Sequence, residues 1–213
     1  MHASTTHGAM PPPRLFIVDD EEMIRTVVLK LVRRLNYAVE VYATAAELLA
    51  RAHLEPPCCL ILDVHLPGMT GMDLQQRLAG LAVPPSIVFI SGDSDIPTSV
   101  RAMKAGAIDF LTKPFSGEEL LAAVTQGVAR STARLEAFQA AQAARAQLAA
   151  LTPRERQVCE AMARGLRSKE IAQELGAAVK TVNIHRSRVL SKLGVDSVTD
   201  LVRLLATSHG DET

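Results

Sequence analysis

Apolar residues fall along the front half of this chain in short runs separated by longer amphipathic stretches. RLFIV (14–18), AVEVY (38–42), CLILD (59–63), SIVFI (86–90) and AIDFL (107–111) each read as a buried strand. Between the first two, Met23, Val27, Leu31 and Leu35 recur at every fourth position, with Ile24 and Val28 beside them, which is helical spacing. Strand–helix alternation of this kind predicts a parallel sheet covered on both faces. Five strands in so short a stretch fit a doubly wound, flavodoxin-like α/β domain, here assigned to residues 13–130.

The pattern changes after Gly117. A helix is predicted from there towards Arg130, followed by EAFQAAQAARAQLAA, rich in Ala and Gln. This stretch has high helix propensity and little apolar patterning. A heptad started at Leu135 and Phe138 breaks at Gln142 and Arg145, so residues 131–149 read as a helical linker, with coiled-coil pairing as the alternative. Then LTPRERQV opens a new segment sharply. Thr152 is an N-cap candidate, Pro153 suits the first helical position, and Glu155 completes a capping box. Gly165 is the predicted stop. Short helices follow over about 168–175, 179–193 and 197–205. With a tight turn at Gly176 they predict a small all-α helix-turn-helix domain over residues 150–208.

Composition supports two folded domains. Hydrophobic residues make up 48% and charged residues 22%, which excludes wholesale disorder. Trp is absent, so the cores must be built from Leu, Val, Ile and Ala. The zero net charge is unevenly shared: residues 1–130 carry 11 Lys/Arg against 14 Asp/Glu (−3), and the remainder 12 against 9 (+3). Cys58, Cys59 and Cys159 have neither disulfide nor zinc spacing and read as reduced thiols. No segment resembles a signal peptide or a membrane span, so a cytoplasmic protein with no membrane partner is expected. Residues 1–12 read as a flexible tail, its His2 and His7 exposed.

Candidate chemistry gathers where a parallel sheet puts it, at the carboxyl ends of the strands. The first strand ends in Asp19 and Asp20, the third in Asp63 and the fourth in Ser91. The fifth is followed by Lys113 and Pro114. Three carboxylates in one crevice repel unless a cation lies between them. Hard oxygen ligands suit Mg²⁺ (or Mn²⁺), and a lysine with a hydroxyl nearby can hold the oxygens of a phosphoryl group carried on a carboxylate.

At the back, residues 179–193 (VKTVNIHRSRVLSKL) carry four basic side chains and no acid. On a helical wheel Val182, Val189 and Leu193 share one face, while Ile184, Ser187, Arg188 and Ser191 point the other way with Asn183 beside them. A polar, basic face opposite a buried stripe is what a helix lying in the major groove needs. An outward Ile184 suits a thymine methyl.

FIVDDEE, LILDVHLPGMTG, VFISGD and AGAIDFLTKPF resemble the receiver domain of two-component response regulators, over about residues 14–130. LTPRERQV, SKEIA, KTVNIHR and SKLGV resemble the LuxR-type helix-turn-helix, over about 148–206. Together they resemble the NarL/FixJ family of transcription regulators. The resemblance implies Asp63 as phosphoacceptor, and Asp19, Asp20 and Asp63 with the His65 backbone carbonyl around Mg²⁺. It implies Ser91 as switch hydroxyl, Lys113 as phosphate-pairing cation, Phe110 as the aromatic that changes rotamer, and a cis Lys113–Pro114 bond.

By their chemistry, Lys169, Lys180, Thr181, Arg186, Arg188 and Lys192 are phosphate-contact candidates. Asn183, Ile184 and Ser187 are base-edge candidates, and His185 is a packing residue. Ala178 departs from the family, which commonly has a capping side chain there; an absent N-cap costs about 1 kcal/mol.

The expected function is a regulator phosphorylated at Asp63 by a sensor histidine kinase. It then dimerises through the surface over residues 97–110, where Val100, Met103 and Ala107 are apolar, and binds promoter DNA to act with RNA polymerase, usually as an activator. Two rivals remain open: a DNA-binding regulator indifferent to phosphate, and a metal-dependent phosphatase or flavodoxin-like enzyme. Against the enzyme, no further general base stands near Asp63 in the sequence, and aromatics for a flavin are few. At most, slow self-dephosphorylation is expected.

Overall fold

The structure, a computed structural model, describes residues 12–92 and 96–209, the last of these by its backbone only. The tail read over residues 1–12, with His2 and His7, lies almost wholly outside the described residues. The chain divides into two compact units with the boundary after Leu135.

In the first unit, β1 (Arg14–Val18), β2 (Ala38–Tyr42), β3 (Cys58–Asp63), β4 (Ser86–Ser91) and β5 (Asp109–Thr112) form one sheet. All pairings are parallel and the strand order is β2-β1-β3-β4-β5. Alternation along the strands sends side chains to two separate cores. Phe16, Val18, Cys58, Leu60, Leu62 and Phe89 pack on one face, under α2 (Ala45–Arg51), α3 (Gly71–Leu78) and α4 (Ile96–Lys104). Leu15, Ile17, Cys59, Ile61, Val88 and Ile90 pack on the other. That second face lies under α1 (Glu22–Val32) and the first part of α5 (Gly117–Ala149). The central strands β3 and β4 are buried throughout, which is why they read as unbroken apolar runs.

Several expectations are corrected. β5 starts two residues into the AIDFL run, at Asp109, because Ala107 and Ile108 make the junction from α4. Ala107 N–H closes α4 on Ala102 O at 3.1 Å, and Ile108 N–H reaches Ile87 O at 2.7 Å. Ala107 is therefore core, and the exposed apolar stripe of α4 is Ile96, Val100 and Met103. On α1 the buried residues are Val28 and Val32, while Met23 is 76% and Val27 46% exposed. A strict four-residue spacing overshoots the 3.6-residue turn by about 40° per step, so it winds off the buried face. The Ala-rich stretch is helical as expected, and continues the helix begun at Gly117: α5 runs unbroken from Gly117 to Ala149, with the unit boundary inside it.

The second unit holds α6 (Pro153–Ala163), α7 (Ser168–Glu174), α8 (Val179–Leu193) and α9 (Val198–His209). α9 starts one residue later than the predicted helix and ends four later. Leu151, Val158, Met162, Ile171, Val182, Val189, Leu193 and Leu201 make the core. Thr152 and Glu155 form the predicted capping box at the start of α6, with Pro153 in its first turn. Gly165, Gly176 and Gly194 take positive φ (82°, 60° and 64°) where α6, α7 and α8 stop. Among the described residues no helix is long and apolar enough to cross a membrane.

Candidate functional site

The register of the sheet builds an acidic rim. β1 and β3 are neighbours with Val18 opposite Leu62, so the next residues, Asp19 just past β1 and Asp63 at the last position of β3, stand side by side at the sheet's edge. Adjacent strands are about 4.8 Å apart, close enough for the two carboxylates to feel each other. Oxygens of Asp19, Asp20 and Asp63 lie within 4.8 Å of one another. Asp19 and Asp63 are buried and Asp20 is exposed, so the group opens to solvent on one side.

Lys113 comes to this rim from the end of β5, two strands from β3. Its Nζ lies 2.9 Å from Asp19 Oδ2, 3.2 Å from Glu21 Oε1 and 3.5 Å from Asp63 Oδ2. Its backbone N–H donates to Ser91 O at 2.7 Å, which joins β5 to the end of β4. The Lys113–Pro114 bond is cis, as the resemblance implies; Pro56–Pro57 is also cis.

Electrostatics follow from this crowding. Burial raises the Asp63 carboxyl above its ordinary range; Lys113 pulls it back, Asp19 pushes it up again, and the His65 N–H lowers it. Burial alone would lower the Lys113 ammonium. Its hydrogen bond to Asp19 and the field of Asp63 outweigh that, and its pKa is raised. The rim thus holds a fixed cation against carboxylates that lack enough positive charge. The three carboxylates offer hard oxygens at a spacing that suits Mg²⁺.

The other predicted receiver residues fall around the rim. His65 N–H approaches Asp63 Oδ1 at 3.4 Å, and its side chain is exposed. Ser91 is buried at the end of β4. Phe110, half-buried on β5, stacks obliquely on Phe89 of β4 with ring centroids 6.2 Å apart.

Three contributors were not singled out from sequence. Glu21, a partner of Lys113, sat unremarked in the FIVDDEE run. Arg25 Nη1 donates to Asp19 O at 2.6 Å and Asp20 O at 2.8 Å, which pins the β1–α1 turn. Gly71 opens α3 so close to β3 that a Cβ there would stand 2.2 Å from Asp63 O. The final glycine of LPGMTG was the available signal for Gly71; only packing shows that the space is needed.

In the second unit α8 spans Val179–Leu193, as predicted. Val182, Val189 and Leu193 are buried, while Lys180, Thr181, Asn183, Ile184, Ser187 and Arg188 are exposed. Lys169 is exposed near the start of α7. No side chain caps α8 at Ala178. His185 is half-buried, and its Nδ1 is buried with no hydrogen-bond partner among the described residues. Two of the phosphate-contact candidates are already engaged inside the unit. Arg186 Nη1 donates to Leu166 O at 3.3 Å, and Lys192 Nζ donates to Glu155 Oε2 at 2.7 Å. The basic face is therefore narrower than its count of cations suggests.

Comparison with known proteins agrees with both halves. The family model for the response regulator receiver domain matches residues 15–125, and that for bacterial regulatory proteins of the luxR family matches 149–205. Nodulation protein W of Bradyrhizobium diazoefficiens is 39% identical over 204 residues, covering 93% of this chain and 90% of that protein. The C4-dicarboxylate transport transcriptional regulatory protein DctR of Rhodobacter capsulatus is 42% identical over 192 residues, covering 88% of this chain and 96% of its own length. Among solved structures, the response regulator StyR is 41% identical with a TM-score of 0.80, covering 92% of this chain and 98% of that one.

Proposed function

This chain belongs to the NarL/FixJ family of two-component response regulators, and we propose that phosphorylation of Asp63 controls how its LuxR-type domain engages promoter DNA. The observation that carries the reading is the rim itself, where Asp63 stands with Asp19, Asp20 and Lys113. A carboxylate held at such a rim can take a phosphoryl group from the phosphohistidine of a sensor kinase. The P–N bond breaks as an Asp63 oxygen bonds to phosphorus, and the histidine recovers the electron pair. Asp19, Asp20 and Asp63, with the His65 carbonyl, would hold Mg²⁺, which offsets the charge gathered on the phosphoryl oxygens. Lys113 supplies the fixed positive charge on the other side.

The switch follows from charge. A phosphoryl group on Asp63 brings new oxygens that compete for Lys113, now shared with Asp19 and Glu21. Ser91 answers with its hydroxyl, and Phe110 repacks against Phe89 as β4 and β5 adjust. The change is a population shift towards a state already accessible. It favours pairing of two copies through the exposed stripe Ile96, Val100 and Met103, which presents two α8 helices to two half-sites. Asn183, Ile184 and Ser187 read base edges; Lys180, Thr181, Arg188 and Lys169 meet phosphates. Promoter binding then controls transcription by RNA polymerase, in the direction of activation. Slow loss of the phosphoryl group resets the protein, which acts as a regulator and not as an enzyme on an outside substrate.

The experiment is intact-protein mass after incubation with acetyl phosphate and Mg²⁺, on wild type and on Asp63→Asn. One added phosphoryl group on wild type alone is the expected result. An adduct on both proteins, or none on wild type even with a cognate kinase, overturns the assignment.

A further inference from the structure

The four basic side chains of α8 do not face one way. At about 100° per residue, Lys180 and Arg188 each lie about 40° from Ile184, on the outward face. Arg186 stands only about 40° from Val182 on the buried stripe, and Lys192 about 80° from it on the opposite flank. The flanking pair has the internal partners. Lys192 Nζ reaches both Glu155 Oε2 at 2.7 Å and Ala150 O at 3.4 Å.

Glu155 is the unusual member of this contact. It is 3% exposed, yet it belongs to the first turn of α6 and is charged. Its Oε2 also accepts from the Thr152 N–H at 2.9 Å. The hydrogen bond from Lys192, and next that from Thr152, pull its carboxyl down to about 2. The Thr152 N–H and the positive end of α6 offset part of this charge, and Lys192 supplies the cation that offsets more of it. A lysine committed to it leaves little net charge at that spot. Such a pair displaces few counterions from a phosphate backbone.

At the opposite end of α8, Ala178 gives no side-chain cap, and the first turn is held by the Val182 N–H to Ala178 O at 3.1 Å and by buried Val182. The C-terminal end stops at Gly194, whose N–H returns to Leu190 O and Ser191 O. Lys192 sits in that last turn, where its charge also faces the negative end of the helix dipole.

Resting on the DNA-binding reading above, we propose that Lys192 is a positioning residue and not a DNA contact. Its ion pair with Glu155 sets the seat of α8 on the start of α6, and the cationic phosphate contacts on this helix are Lys180 and Arg188, beside the Thr181 hydroxyl.

The test uses the full-length chain and a duplex enriched from a random-sequence pool by the wild-type protein. Binding is followed by fluorescence anisotropy across a salt series, with folding checked by circular dichroism. Lys192→Met is expected to weaken binding by about tenfold or more, because it strands Glu155, while the slope of log affinity against log salt stays unchanged. Arg188→Met and Lys180→Met are each expected to reduce that slope by about 0.9. The double variant Glu155→Gln/Lys192→Met relieves the stranded carboxylate but still lacks the ion pair, and is expected to bind about as weakly as Glu155→Gln alone, with the wild-type salt slope.

Glu155→Gln alone separates the two roles even if Lys192→Met fails to fold. A brace predicts weaker binding, whereas a phosphate contact predicts equal or tighter binding, since the lysine is released. The proposal is overturned by a slope reduced by about 0.9 in Lys192→Met that the double variant does not restore. Undiminished affinity in Glu155→Gln also overturns it. Failure of phosphorylation at Asp63 would leave these DNA measurements unaffected, so the two readings fall separately.

Discussion

Lys113 stands nearer to Asp19 than to Asp63: its ammonium is 2.9 Å from Asp19 Oδ2 and 3.5 Å from Asp63 Oδ2. The cation is thus held by a fully buried neighbour while the proposed phosphoacceptor is left short of positive charge. Lys113→Met should leave Asp19 buried without its cation and destabilise the receiver by about 3 kcal/mol. Urea unfolding of the isolated variant and wild type measures this. Acetyl phosphate should still modify part of the variant, but the modified form should no longer gain in dimerisation or DNA binding.

Asp63→Asn should make the receiver more stable in the absence of divalent cations. Burial holds the Asp63 carboxyl above its ordinary range, so the folded state binds its proton more tightly than the unfolded chain. Ionisation at neutral pH therefore works against folding, and that penalty fades as pH falls through the raised value. Removing the charge should raise the melting temperature by roughly 2–5 °C, read by calorimetry with a chelator present.

Added Mg²⁺ should stabilise wild type through binding to the folded state, by about 2.7 kcal/mol at a hundredfold excess over Kd. Asp20→Ala should abolish most of that gain while leaving the metal-free melting temperature nearly unchanged, because Asp20 is exposed. Thermal melts over a Mg²⁺ series compare the two.

Gly71→Ala should be poorly tolerated although it adds one methyl group. Its Cβ would meet backbone, Asp63 O at 2.2 Å, and Phe89 Cε1 at 3.1 Å. Neither the strand end nor the first turn of α3 can yield cheaply, so a loss of about 2–3 kcal/mol is expected. Denaturant titration measures the loss, and acetyl phosphate labelling should slow as Asp63 is displaced.

The DNA-binding unit should show an acid limb of stability assignable to Glu155. Its folded pKa, about 2, lies below the ordinary 4.5, so its contribution is fully present above 4.5 and is lost as pH falls towards 2. Glu155→Gln should flatten this limb. Unfolding followed at several acid pH values, on wild type and variant, checks the direction.

The strands were legible because central strands of a parallel sheet are buried on both faces, and CLILD and SIVFI carry that burial as unbroken apolar runs. The capping box at Thr152 and Glu155 was legible because a cap is local: its partners are three residues apart. Asp19, Asp20, Asp63 and Lys113 could be listed from sequence because they follow strand ends. Met23, Val27 and Leu31 marked α1 as a helix, but a four-residue repeat drifts round it, so the spacing did not say which face is buried. Ala107 misled because an alanine carries no mark of which side will be covered.

By itself, then, the sequence determined what is local or periodic: strands, helix starts and stops, the basic outward face of α8, and which acids follow which strand. Tertiary structure alone decided how shared groups are divided. It gave Lys113 to Asp19 before Asp63, brought Gly71 against Asp63 O, and spent Lys192 on Glu155. Those outcomes depend on distances between residues far apart in the chain. A cation's charge is visible in sequence, but its nearest carboxylate is set only when the elements pack.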